Sequence, residues 1–417
     1  MDIKQAVIER AARARQAARR LATADAAWRD RALRQMAQAL REAADEIKTE
    51  NARDMANGEQ KGLSSAMLDR LRLDDKRIED MAVALEEIAE FDDPLQGVLA
   101  EWERPNGLRI SKVPVPLGVV GVVYESRPNV TVDSVGLCLK AGNTVVLRGG
   151  SEAINSNVCL AGILARACEA VGLPASCVEI VPVTDRQAVL ELVRCDQYLS
   201  LVVPRGGKEL IRTVKDNATV PVLEHERGMT QIYVDETCDL DMAVNIIHNA
   251  KVQRPGVCNA VENLYVHHAN HGALRAIMDD LQASGVEIRG DDGVMALCPG
   301  CLPATDEDWD TEYLDLILTV GLVESMDQAL DLIARHSSGL AECIISDNSE
   351  NAERFLREVD SACVYHNAST RFTDGGQFGM GAEIGISTGK MHARGPVGVR
   401  ELTSYKYVIH GNGQVRS

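Results

Sequence analysis

The stretch GVVGVVYESRPNVTVDSVGLCLKAGNTVVLR, residues 118–148, decides the fold. It opens on an unbroken Val/Gly run, GVVGVVY (118–124), passes through a helical stretch near 131–140, and closes on a second apolar run, TVVLR (144–148). Strands that are apolar on both faces are covered on both faces, and a helix between two of them makes them parallel. The pattern continues through VEIVPV (178–183), LSLVV (199–203) and QIYVD (231–235), with helices expected near 152–171, 185–194, 207–215 and 239–250. The fold class is α/β, a parallel sheet between helices, and a nucleotide would bind at the carboxyl ends of such strands.

Upstream, residues 3 to about 90 read as helices, with apolar positions at i, i+3 and i+4 in AWRDRALRQMAQALREAADEI and a start signal at Ser64-Ser65. From about 255 a second α/β unit follows. Its strands are expected near 262–266, 285–288, 314–321, 342–346 and 362–366, and its helices near 271–283, 325–335 and 350–358. The tail from about 367 is rich in Gly and Thr and ends in a strand-like TSYKYVIHG (403–411).

The 417 residues exceed a single core, so more than one domain is expected. The balance of 44 basic and 62 acidic residues gives 44 − 62 = −18, which disfavours nucleic acid and anionic membranes as partners. Eleven scattered Cys, an odd number, point to reduced thiols and a cytoplasmic location. No apolar run approaches the length of a membrane span, and the N-terminal segment lacks the apolar region of a secretory signal.

The G-x-G-x-x-G fingerprint is absent, but two other glycine-bearing strand-to-helix turns are present. One runs from Arg148 through Gly149-Gly150, the other from Arg205 through Gly206-Gly207 to Lys208. Either alone is read as a tight βα loop. Two in one sheet, each with an Arg, point to a phosphate-rich cofactor at helix N-termini. Cys258 sits in the Pro-Gly turn of AKVQRPGVCNAVENLYV (250–266), four residues after Arg254 and next to Asn259. A loop Cys beside an Arg can serve as a nucleophile, while any single Cys taken by itself is more often a small apolar residue. The pair Cys298-Pro-Gly-Cys301 has no second pair to complete a zinc site; it reads as a surface turn with two free thiols, and no metal is expected.

These segments, with EDWDTEYLDLI (307–317), ASTRFTDGGQFGMGAEIGIST (368–388) and HARGPVGVRELTSYKY (392–407), resemble the gamma-glutamyl phosphate reductase family of the aldehyde dehydrogenase superfamily over nearly the whole chain. The resemblance implies two Rossmann-like α/β domains plus a small oligomerisation extension. The expected division is 1–254 for NADPH binding, 255–366 for the catalytic cysteine and 367–417 for a substrate loop and oligomerisation segment, with about 112–130 joining the extension. It implies Cys258 as nucleophile and Asn129 as oxyanion donor. Arg148 and Gly149 would lie near the NADPH ribose phosphate, and Arg205, Gly206 and Gly207 near the pyrophosphate. Arg127, Arg254, Arg371 and Arg394 are the candidates for the anionic groups of an acyl phosphate. The implied reaction is NADPH-dependent reduction of L-glutamate 5-phosphate to the 5-semialdehyde, the second step of proline biosynthesis. A homo-oligomer and a functional link to a glutamate 5-kinase go with it.

The chain departs from that family's pattern at Gly228-Met229-Thr230-Gln231, where His usually stands at 231, and at Gly339-Leu340-Ala341-Glu342, where His and Ser or Thr usually stand at 340 and 341. A smaller departure is His366. Glu224 stands where hydrolytic aldehyde dehydrogenases carry a water-activating glutamate. These features keep open a reductase of another acyl phosphate or a hydrolytic aldehyde dehydrogenase. A non-catalytic protein that kept the fold is the reading from a different class.

Overall fold

The computed structural model describes residues 2–223 and 227–416, so Glu224 lies outside the described residues. Contacts divide the chain into two units. The first comprises Met1–Glu224, Gly379–Gly385 and Val397–Ser417, the second His225–Phe378 and Ile386–Pro396.

The first unit opens with five helices, α1 (Ile3–Leu21), α2 (Ala26–Glu42), α3 (Ala44–Gln60), α4 (Ser65–Leu71) and α5 (Asp75–Glu90). Asp2, Asp25, Ser64 and Asp74 each accept a backbone N–H of the first turn, so four of the five starts carry a side-chain cap. Next come β1 (Ala100–Glu103), β2 (Arg109–Pro116), β3 (Val119–Tyr124), α6 (Asn129–Lys140), β4 (Thr144–Gly149), α7 (Ile154–Ala170), β5 (Val178–Ile180), α8 (Gln187–Val193), β6 (Leu201–Arg205) and α9 (Lys208–Asn217). Four of these strands form a parallel sheet in the order β5-β4-β3-β6. Every residue of β3 and β4 is buried, as their unbroken apolar runs require. Gly142 turns the chain between α6 and β4 at φ +76, where a Cβ would also stand 2.8 Å from the Pro116 ring.

The second unit contains β7 (Thr230–Val234), α10 (Leu240–Val252), β8 (Val261–His267), α11 (His271–Ala283), β9 (Glu287–Gly290), α12 (Asp292–Leu297), β10 (Leu302–Pro303), β11 (Ile317–Val323), α13 (Met326–His336), β12 (Ala341–Ile345), α14 (Ser349–Glu358) and β13 (Cys363–His366). Its seven strands form a parallel sheet in the order β10-β9-β11-β8-β7-β12-β13. One core cluster packs Ile232, Leu264 and Cys343 against α10 and α11. Another packs Tyr233, Tyr265 and Ile344 against α13 and α14. The tail supplies β14 (Gly385–Ser387), β15 (Gly395–Val397) and β16 (Thr403–His410). Strand β2 lies between β1 and β16, antiparallel to both.

The α/β architecture is the expected one; three details differ. QIYVD is not the fifth strand of the first sheet, because β7 pairs with β8 and β12, and this moves the division from 254 to near 224. Residues 119–124 do not join the extension, since β3 is the buried centre of the parallel sheet; the strands beside β16 and β2 begin earlier, at Ala100 and Arg109. Cys298 and Cys301 are not at the surface: both are buried in the second unit's core. None of the eleven Cys is in a disulfide. Among the described residues no helix is long and apolar enough to cross a membrane.

Candidate active site

Cys258 lies half-buried in the loop between α10 and β8. Pro255-Gly256 follow the end of α10, where Pro cannot supply the next helical N–H. The loop is closed at its base by Lys251 and Glu262, both fully buried, with Lys251 Nζ donating to Glu262 Oε2 at 2.8 Å. Burial pushes Glu262 up to about 7 and Lys251 down, against their mutual attraction. The other Glu262 oxygen accepts from the backbone N–H of Leu314, a residue held at φ 55.

Around the loop, Thr230 Oγ1 donates to the Cys258 carbonyl at 3.0 Å. Gly228 lies directly against Cys258, and its N–H donates to Glu312 Oε1 at 2.8 Å. The Cys258 side chain packs on a cluster of Leu340, Ala341, Cys363 and Ile386. The segments of both departures from the family pattern therefore reach Cys258. Thr230 holds its backbone, and Leu340 and Ala341 form an apolar wall behind it.

Asn259 ties the loop to the segment after β13. Its Nδ2 donates to the Thr373 carbonyl at 2.8 Å, its carbonyl accepts from Thr370 Oγ1 at 2.9 Å, and its Oδ1 accepts from the Arg371 guanidinium. Arg371 Nε also donates to Gln253 Oε1 at 2.9 Å, so this cation is held from both sides of the loop. Burial, then repulsion from Arg254, lowers the Arg371 pKa, while Asp374 and Cys258 raise it. The structure thus brings Cys258, Arg254 and Arg371 together. Arg394 belongs to a different arrangement: Nη1 donates to Asp360 Oδ1 and Nη2 to the Asp360 carbonyl, each at 2.8 Å. Asp360 also pairs with Lys390, and the two cations hold its carboxyl below the usual range. His366 Nε2 meets the Ser346 carbonyl at 3.0 Å.

Arg127, Asn129, Arg148 and Arg205 fall in the first unit. Asn129 starts α6 and its Nδ2 donates to Asp133 Oδ2 at 3.0 Å, one turn on. An amide nitrogen carries two hydrogens, so the second remains for an oxyanion. Burial pushes Asp133 up to about 6, opposed by Asn129 and by Arg205. Arg148 is buried, donates to the carbonyls of Gly149, Thr184 and Asp185 at 3.0–3.1 Å, and keeps a partnerless Nε. At the start of α9 the Gly207 N–H donates to Glu125 Oε2 at 2.9 Å, and a Cβ on Gly206 would stand 2.5 Å from the same oxygen. A carboxylate thus occupies the helix N-terminus, which shows that these donors suit an anionic oxygen. The residues present fit a dinucleotide phosphate.

Sequence reading missed Asp133, Gly228 and the Lys251–Glu262 pair as parts of these arrangements. The i, i+4 spacing of Asn129 and Asp133 at a helix start was a usable signal. Gly228 stands in the quoted Gly228-Met229-Thr230-Gln231 segment, but nothing in the sequence ties it to Cys258.

The aldehyde dehydrogenase family profile matches residues 1–287. The gamma-glutamyl phosphate reductase of Caldanaerobacter subterraneus subsp. tengcongensis is 52% identical over 408 residues, 98% of this chain and 99% of that protein. That of Moorella thermoacetica is 52% identical over 417 residues, 100% of both. The crystal structure of gamma-glutamyl phosphate reductase from Thermotoga maritima superposes with a TM-score of 0.97 at 48% identity, covering 99% of this chain and 100% of that one. The chain belongs to the aldehyde dehydrogenase family and, within it, to the gamma-glutamyl phosphate reductases.

Proposed function

We propose that this chain reduces L-glutamate 5-phosphate to L-glutamate 5-semialdehyde with NADPH, through a thioester on Cys258, as the second step of proline biosynthesis. The observation that carries the reading is the Cys258 loop: a half-buried thiol with Arg371 held beside it by Gln253 and Asn259, in a chain 52% identical over its length to a reductase of that name.

Members of the aldehyde dehydrogenase family use a nicotinamide cofactor. When bound, it supplies the hydride that reduces the acyl group. Arg148, Gly149, Arg205, Gly206 and Gly207 are the residues that would hold it, and positive charge at Arg148 favours the phosphorylated form. Cys258 attacks the acyl carbonyl as thiolate, forming a C–S bond. Asn129, oriented by Asp133, and a backbone N–H near Cys258 receive the oxyanion. The C–O bond to phosphate then breaks, and the phosphate leaves with the electron pair and needs little acid help. After reduction, the C–S bond breaks, which returns the Cys258 thiolate and releases the aldehyde. Arg254 and Arg371 would meet the substrate's anionic groups, with Arg127 as a further candidate. Arg394, which pairs with Asp360, is a fourth candidate for those groups. The protein would act in the cytoplasm as a homo-oligomer, with a functional link to a glutamate 5-kinase.

The test is NADP reduction by the purified protein with glutamate 5-semialdehyde, with and without phosphate, alongside Cys258→Ala. Phosphate-dependent turnover that the substitution abolishes is the expected result. Turnover without phosphate would assign a hydrolytic aldehyde dehydrogenase instead and make Glu224 the next residue to change.

A further inference from the structure

Four neighbouring strands of the second unit place a polar residue at one level on one face. Glu342 of β12 pairs with Gln231 of β7, Gln231 with Asn263 of β8, and Asn263 with Thr319 of β11. All four are fully buried. Three of them leave an oxygen without a partner: Glu342 Oε2, Gln231 Oε1 and Asn263 Oδ1. Their other polar atoms are engaged. Ser337 Oγ donates to Glu342 Oε1 at 2.5 Å, Gln231 Nε2 donates to the Ile333 carbonyl at 3.5 Å, and Asn263 Nδ2 donates to the Trp309 carbonyl at 2.9 Å. Buried acceptors that face one another with no hydrogen between them are destabilising. The Tyr265 hydroxyl, two residues along the same face and also partnerless, is the donor within reach of Asn263. Gln231 and Glu342 then remain as register partners with one unpaired oxygen each, and the Ser361 hydroxyl also faces the Glu342 carboxyl. Of the two, only the carboxyl can take up a hydrogen.

We propose that Glu342 carries a proton below neutral pH and donates it to Gln231 Oε1, so that one buried carboxylic acid joins β7 to β12 behind Cys258. Thr230, the residue before Gln231, holds the Cys258 carbonyl, and Ala341, the residue before Glu342, packs on Cys258. Glu342 and Gln231 are thus positioning residues for the nucleophile. The groups facing Glu342 are the Ser337 and Ser361 hydroxyls, Arg394 and the Cys363 thiol. Burial pushes the carboxyl up to about 7, while the hydroxyls and Arg394 oppose this.

The sign follows from linkage. The folded value lies above the unfolded one, near ~4.3. The stability contributed by the protonated form is full at acid pH and is lost as pH rises toward and through about 7. Glu342→Gln replaces the O–H donor by an N–H donor that does not titrate. Its stability relative to the natural protein should rise between pH 5 and pH 8. Buried Glu262 titrates in the same window but is common to both proteins and cancels. The infrared difference spectrum between pH 6 and pH 8 should contain a protonated-carboxyl carbonyl band that is missing in Glu342→Gln. Alkylation of Cys258 by iodoacetamide should stay within about twofold in Glu342→Gln and fall about tenfold in Glu342→Ala, a difference of ~1.4 kcal/mol in barrier. A spectrum identical in the natural protein and Glu342→Gln, with a stability difference constant across pH, would overturn the proposal. It would mean an ionised Glu342 held by trapped water or a cation. Failure of Glu342→Gln to fold would count equally against it, because the amide supplies the same donor. If Glu342→Ala does not fold, the infrared comparison still decides.

Discussion

Gly228 lies so close to Cys258 that a Cβ on it would stand 2.5 Å from the Cys258 Cα and 2.6 Å from its Cβ. Both neighbours belong to backbone or its first side-chain atom, so neither can swing away. Gly228 is not among the residues at positive φ, and the requirement for glycine here is therefore one of contact. Gly228→Ala must move the Cys258 loop or strand β7. Overpacking of this kind costs about 1–3 kcal/mol in stability. Because the displaced residue is the proposed nucleophile, the loss in kcat should be larger, about a hundredfold, with cofactor binding retained. Turnover and NADPH titration of the same preparation check this. A variant with normal kcat would show that the loop has slack the contact does not suggest.

Arg371 is the cation held at the Cys258 loop by both Gln253 and Asn259. A nearby positive charge favours the thiolate, and the thiolate is the reactive form. Arg371→Met should slow Cys258 alkylation at pH 7 by about tenfold, equivalent to a shift of one pKa unit. Arg394→Met should leave alkylation nearly unchanged, since that guanidinium is bound to Asp360. Equal effects from the two substitutions would mean that Arg371 is not the cation that acts on the thiol.

How much of this was legible in sequence depends on what each residue had to announce. The parallel strands were readable because their residues are buried on both faces: GVVGVVY and TVVLR have no polar position to confuse the period. Strand β1, AEWE, was not, because all four of its residues are exposed and its stability comes from pairing with β2. QIYVD read correctly as a strand and was assigned to the wrong sheet, since chain order said β6 and hydrogen bonding says β8 and β12. Cys258 is the proposed nucleophile on the strength of its loop and the resemblance. The contacts of Gly228, Thr230 and Leu340 with it join segments far apart in sequence, which spacing does not encode.

Glu125 makes a prediction about the cofactor. Its carboxylate accepts the Gly207 N–H, at the helix start where a dinucleotide phosphate is proposed to bind. A phosphate taking that position must displace an anion first. Glu125→Gln weakens the competing contact without changing its shape, so NADPH should bind several-fold more tightly, by ~1 kcal/mol or less, the scale of one helix-terminus charge interaction. Isothermal titration at low salt measures it directly. Weaker binding in the variant would mean that Glu125 holds the cofactor instead of yielding to it.

The Lys251–Glu262 pair bears on stability and on the loop together. Both side chains have no exposed surface, and they meet at 2.8 Å where α10 ends and β8 begins. Removing one partner leaves a buried polar group without its counterpart, a loss of about 3–5 kcal/mol, whereas replacing both with apolar groups of similar volume can approach neutrality. Lys251→Met and Glu262→Leu should each destabilise strongly, and the double variant should recover most of the loss. Denaturant unfolding of the four proteins gives the coupling energy. Glu262→Leu also leaves the Leu314 N–H without its acceptor, so the double variant should remain below the natural protein by about 1–3 kcal/mol, the cost of one unmet buried donor. Simple additivity of the two single losses would show that each residue is stabilised by groups other than its partner, and that the loop carrying Cys258 is not closed by this contact.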